Sequence, residues 1–157
     1  MRKKVFTGAV TASVICYIFV LGNMLFFQSG RVPVLLSEHM KLKYDFCLIP
    51  FKTITEYITA IVEGSARGHA IRNLAGNLLL LLPLGFFLPF FIRKTAKIMI
   101  YTVVVTVIIL AIEVAQLITF TGSLDIDDFI LNLSGALLGF AMCKHTPIRH
   151  LFRLCAY

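Results

Sequence analysis

The sequence predicts an all-α integral membrane protein, a four-helix bundle with an interfacial amphipathic helix between its first two spans. Three observations predict it. Hydrophobic residues fill 59% of the 157 positions and the mean hydropathy is +0.89, more apolar surface than a soluble chain of this length can hide. Those residues gather in four runs close to the roughly 20 residues that cross a bilayer. Finally, nine of the 15 Lys and Arg residues fall in short segments that hold no acid, the pattern of cytoplasmic loops.

The first run, 5–27, follows a basic Met1-Arg2-Lys3-Lys4 start. It is longer than the roughly 7–15 apolar residues of a secretory leader, and no A-x-A site follows it, so an uncleaved anchor is expected. Segment 28–72 is too polar to span. Within it, Thr53-Ile54-Thr55-Glu56 has the spacing of a capping box. Ile54, Tyr57, Ile58, Ile61 and Val62 then recur at i, i+3, i+4, i+7 and i+8, and Gly64 supplies a stop. A short amphipathic helix lying in the membrane interface is expected there.

The second span covers 73–92. Pro83-Leu84-Gly85 and Pro89 are expected to kink or loosen it and to free a carbonyl near the bundle centre. The third, 98–120, is interrupted only by Glu113 and Gln116. The fourth, 128–143, is shorter and rich in small residues. Asp125 is placed to cap it, with Asp127 and Asp128 at the positive end of its dipole. Gly135 and Gly139 form a GxxxG seam that admits a neighbouring helix, including one from a second copy in a homo-oligomer. There is no repeat and no second domain, so residues 1–157 read as one membrane domain.

Charge sets the expected orientation. Arg2, Lys3, Lys4, Arg93, Lys94, Lys97, Lys144, Arg149 and Arg153 occupy the acid-free segments, which places both termini in the cytoplasm. The other six basic residues are spread over 28–72 beside Glu38, Asp45, Glu56 and Glu63. This bias and attraction to anionic lipid account for the net charge of +7 without nucleic acid as a partner. Of the four cysteines only Cys47 is expected outside, Cys16 and Cys143 belonging to spans and Cys155 to the cytoplasm. No outer disulfide and no zinc spacing follows.

The polar residues of the spans meet at one depth. Arg72 and Asn73 stand at the outer boundary of the second span, with Asn77 about one turn, ~6 Å, deeper. Glu113 lies roughly 10 Å below the outer end of the third span, with Gln116 one turn above it. Asp128 opens the fourth and Asn132 is one turn in. Each is costly in lipid and requires a partner or a task. Interhelical hydrogen bonding accounts for Asn77, Gln116 and Asn132 taken singly. Glu113 is harder to account for: a carboxyl at that depth is protonated, paired with a cation such as Arg72, or open to water.

Together Asp125, Asp127 and Asp128 offer hard oxygen ligands suited to a divalent cation, and the asparagines suit hydroxyl or ammonium groups. Glu113 and Asp128 are the best candidates for acid–base chemistry. No nucleophile–base pair is defined; Ser123 is the nearest hydroxyl, without an assigned base, and His69 is expected in the loop.

Four separated blocks resemble the VanZ-like membrane family. They are Leu48-Ile49-Pro50-Phe51, the run NLAGNLLLLLPLGFFLP from Asn73 to Pro89, Glu113-x-x-Gln116, and Asp125-Ile126-Asp127-Asp128 continuing through Asn132, Gly135 and Gly139. The resemblance covers about residues 46–142. It implies a small bacterial protein of the cytoplasmic membrane that lowers sensitivity to teicoplanin-type lipoglycopeptides, and it brings no catalytic assignment with it. Many family members carry a basic residue three positions before the first Asp of the last block, where this chain has Gly122.

Three functions stay open at this point. The polar residues could bind the headgroup of a cell-envelope lipid or a cell-wall precursor. They could belong to an enzyme that modifies such a lipid, with Glu113 as general acid–base and a divalent cation on the aspartates. They could serve a small proton-coupled transporter.

Overall fold

A computed structural model describes residues 2–26, 47–119 and 124–145. Helix α1 (Arg2–Phe26) is followed by α2 (Lys52–Glu63), α3 (Arg67–Leu80), α4 (Leu84–Phe91), a 3-10 turn (Arg93–Ala96), α5 (Ile98–Ile118) and α6 (Ile126–His145). Four segments are long and apolar enough to cross a membrane: Val5–Phe26, Arg67–Phe91 (α3 and α4 together), Ile98–Ile118 and Ile126–His145. The buried share of each span rises from 0% in the first to 39% in the last, which makes α6 the axis of the bundle. The all-α bundle with a short amphipathic helix between its first two spans is the architecture the sequence predicts.

Helix α5 shows how the spans divide their faces. Tyr101, Val105, Ile109 and Glu113, spaced by four, form its buried row, while Met99, Val103, Val107, Leu110, Val114 and Ile118 are exposed. An exposed face this apolar requires lipid, not water, around it. The core forms where the buried row meets α6, with Leu81, Ala136 and Phe140 packed on Tyr101, Val105 and Ile109. Tyr101 lies against the ring of Phe140 at 4.5 Å and donates its hydroxyl to the Ala136 carbonyl at 2.8 Å.

The second span begins at Arg67, six residues before the expected 73. Arg67, His69 and Arg72 are exposed on this extra turn and a half, and such polar heads hide a helical start from a hydropathy reading. His69 is therefore helical and not in a loop. The span breaks at residues 81–83, because Pro83 lacks an amide hydrogen. Hydrogen bonds there shift to a tighter pattern, Leu82 N to Leu79 O and Leu84 N to Leu81 O. The freed Leu80 carbonyl accepts the Tyr17 hydroxyl at 2.8 Å, which ties α1 to the break.

The seam on α6 is filled from within the chain. A Cβ added to Gly135 would lie 1.7 Å from the Leu78 carbonyl oxygen, and one added to Gly139 would lie 2.0 Å from that of Leu82. Gly85 faces Gly139 equally closely from α4. Backbone lies against backbone here, which only glycine permits.

The two ends of the bundle differ. One carries the 3-10 turn, with Arg93, Lys94, Lys97 and Lys144 exposed. The other carries α2, whose Ile54 and Tyr57 face the bundle while Ile58 and Val62 stay exposed.

Candidate polar site at the α2 end

The start of α2 departs from the capping-box expectation. Phe51 occupies the N-cap in the left-handed region, φ 65°, and offers no side-chain cap. The cap comes instead from α6. Asp127, fully buried, accepts the Phe51 amide at 2.6 Å on one carboxylate oxygen and the Ile54 amide at 3.1 Å on the other. A side-chain acceptor on the N-cap amide and on a first-turn amide suits the start of the helix and offsets the strain at Phe51. Thr53, expected to close the box, donates its hydroxyl to Asp125 at 2.7 Å. At the far end Gly64, φ 82°, stops the helix as expected.

Asp125 caps α6, accepting the Asp127 amide at 2.9 Å. Its backbone pairs with that of Cys47 through Cys47 N to Leu124 O and Ile126 N to Cys47 O. The blocks 48–51 and 125–128, far apart in sequence, therefore meet as one clasp. Sequence reasoning missed Cys47 and Thr53 as members of it. The signal available was that the two blocks recur together in one family.

Beneath the clasp a second set runs from α2 to α6. The Asn73 amide donates to the Tyr57 hydroxyl at 2.7 Å, and Asn77 donates to the Asn73 side-chain oxygen at 3.1 Å and to Asp128. Tyr57 is the residue here that sequence reasoning assigned only to an apolar face.

Glu113 and Asn132 complete this layer from α5 and α6. They are 6% and 5% exposed. Glu113 is on the bundle side of α5, close enough to Asp128 and Asp125 to interact with both electrostatically. Helical side chains lean toward their own N-terminus, and α5 and α6 are antiparallel. Glu113 therefore leans toward the bundle centre and Asn132 toward the α2 end. Among the described residues Glu113 has no hydrogen-bond or ion-pair partner, and the Asn132 side-chain oxygen is buried with none.

Two predicted members stand apart. Arg72 is exposed and makes no ion pair among the described residues. Gln116 turns to the first span, donating to the Leu25 carbonyl at 3.2 Å. Gly122, Ser123, Glu38, Asp45, Arg149, Arg153 and Cys155 lie outside the described residues.

Two of the three aspartates whose spacing invites a divalent cation are turned to the clasp. Asp125 and Asp127 use both of their oxygens on protein donors, and no group of three or more His, Cys, Asp or Glu side chains is placed to hold a metal among the described residues. A shallow groove of about 600 Å³ runs along the exposed side of α2, lined by Lys52, Glu56 and Glu63 among others, and includes none of the buried polar residues.

A helical bundle with four segments able to cross a membrane and a buried polar layer at one end defines the class: a small polytopic membrane protein. The VanZ/LLP1 family model matches residues 14–152, and the chain belongs to that family. The match reaches into the first span and past the last, beyond the 46–142 that carry the recognisable blocks. No significant match was found among curated proteins or among solved structures.

Proposed function

We propose that this VanZ/LLP1-family membrane protein holds the polar headgroup of a cell-envelope lipid or lipid-linked precursor between α5 and α6, and thereby lowers the sensitivity of a bacterium to teicoplanin-type lipoglycopeptides. One observation carries the reading: two polar side chains of the spans are buried, Asn132 with its side-chain oxygen unpartnered and Glu113 without a hydrogen bond among the described residues. An unmet buried acceptor costs roughly 1–3 kcal/mol, more when charged, so a ligand that meets both recovers that cost on binding. The α2 end faces outward when the acid-free basic segments face the cytoplasm, which puts the site in the leaflet where envelope lipids are met.

The test is teicoplanin susceptibility in a Gram-positive host lacking a homologue, expressing wild type, Glu113→Gln or Asn132→Leu at matched membrane levels. Protection by the wild type that both inserted variants lose is the expected result. Equal protection by all three would make the two residues structural, and no protection by the wild type would remove the antibiotic from the proposal.

A further inference from the structure

We infer that the group seated between α5 and α6 is a primary ammonium, such as the headgroup of an aminolipid; the inference rests on the headgroup-binding reading above. The fully buried atom left unmet at the site is an acceptor, the Asn132 side-chain oxygen. Glu113 presents a carboxyl that no described residue satisfies, and Asn132 presents its carbonyl oxygen, 95% of the residue being buried. A ligand that satisfies them must therefore donate. An ammonium carries three donors and no acceptor, so one group has donors enough for both residues.

The competing chemistries fit less well. A phosphate or carboxylate would approach Glu113 with Asp125 and Asp128 already interacting with it, which is like charge on like charge. A calcium ion takes about six to eight oxygens, and Asp125 and Asp127 are turned to the clasp. A polyol donates but brings no positive charge to a carboxyl in a span. A quaternary ammonium has no N–H for Asn132. Burial also favours the primary amine, because a charge-assisted hydrogen bond strengthens where water is excluded.

The experiment titrates the purified full-length protein with single lipids and reads bound lipid by native mass spectrometry. The probes are phosphatidylethanolamine, its N-acetylated twin, phosphatidylglycerol and free ethanolamine. The wild type is expected to hold phosphatidylethanolamine at least about tenfold more tightly than the N-acetylated lipid, a difference of about 1.4 kcal/mol. Glu113→Gln should abolish that preference, Glu113→Asp should keep it, and Asn132→Leu should reduce it. Equal affinity for the amine and its acetylated twin overturns the inference, as does a preference unchanged in folded Glu113→Gln or Asn132→Leu.

The remaining outcomes separate this inference from the reading beneath it. Tighter binding of phosphatidylglycerol, lost in Glu113→Gln, overturns the ammonium and leaves headgroup binding standing. No lipid binding that depends on either residue overturns both. Displacement of the aminolipid by free ethanolamine supports the ammonium and identifies a soluble amine as a competent source.

Discussion

Helices α5 and α6 run through both ends of this bundle, and buried polar groups left unmet lie toward only one. Toward the 3-10 turn, Tyr101 is fully buried and its hydroxyl has the Ala136 carbonyl at 2.8 Å. Three turns along the same row of α5, Glu113 is almost as buried and has no such partner among the described residues. On α6, Ala136 and Phe140 close the core, while Asn132, one turn away, keeps an orphan oxygen. A buried polar group completed by the protein contributes to the fold; one left incomplete costs stability and is a candidate for function. The core end therefore serves stability, and beneath the α2 clasp Asn132 is where stability is given up.

The strongest way to break the comparison is to attack the backbone contact that both ends share. Gly135→Val places a Cβ 1.7 Å from the Leu78 carbonyl, with no flexible side chain to move aside. A cost of about 3 kcal/mol or more is expected, enough to remove most folded protein. Gly76→Ala on α3 is the control, since nothing lies within 4 Å of its added Cβ. Recovery of monodisperse protein by gel filtration checks both, and equal recovery would mean that the second span does not lie on the α6 seam.

The next effect is local to the α2 end. Asp127→Ala removes the acceptor for the Phe51 and Ile54 amides, and loss of a charged cap of this kind costs about 2 kcal/mol. Because α2 is tied to α6 mainly through this clasp, the cost is expected as loosening of the start of α2, not as unfolding of the spans. Limited proteolysis across 47–66 should accelerate several-fold while spans α5 and α6 stay protected, with Asp127→Asn intermediate. Unchanged proteolysis would show that the clasp does not hold the helix down.

Sequence reasoning reached one end of this molecule more fully than the other, for a physical reason. Hydropathy and spacing are properties of single helices, so the four spans, the Gly64 stop, the Asp125 cap and the Pro83 break were legible. So was the level shared by Asn77, Glu113, Asp128 and Asn132, because rise per residue converts position to depth. Direction around the bundle was not legible. Gln116 shares a helix face with Glu113 by spacing, yet it reaches α1, and Arg72 at the expected depth points outward. The Asp127 cap on α2 crosses 73 residues of chain to Ile54, and no local pattern encodes a partner so distant.

The smallest expected effect is the sharpest, because its sign differs between the two ends. Tyr101→Phe deletes a satisfied buried hydroxyl and should destabilise by about 1 kcal/mol. Asn132→Leu deletes an unsatisfied buried oxygen and replaces it with apolar volume, a change expected to be neutral or to stabilise by up to about 1 kcal/mol. Both residues are buried in the bundle, so a simple loss of packing would destabilise in each case. Thermal unfolding of the purified protein in one detergent, without added lipid, compares them directly. A rise in midpoint for Asn132→Leu beside a fall for Tyr101→Phe is expected, and a fall in both would mean that Asn132 contributes to the fold like any core residue. The same Asn132→Leu protein should also hold an aminolipid less well, so stability and binding would move in opposite directions, as they must if the orphan oxygen is kept for a ligand.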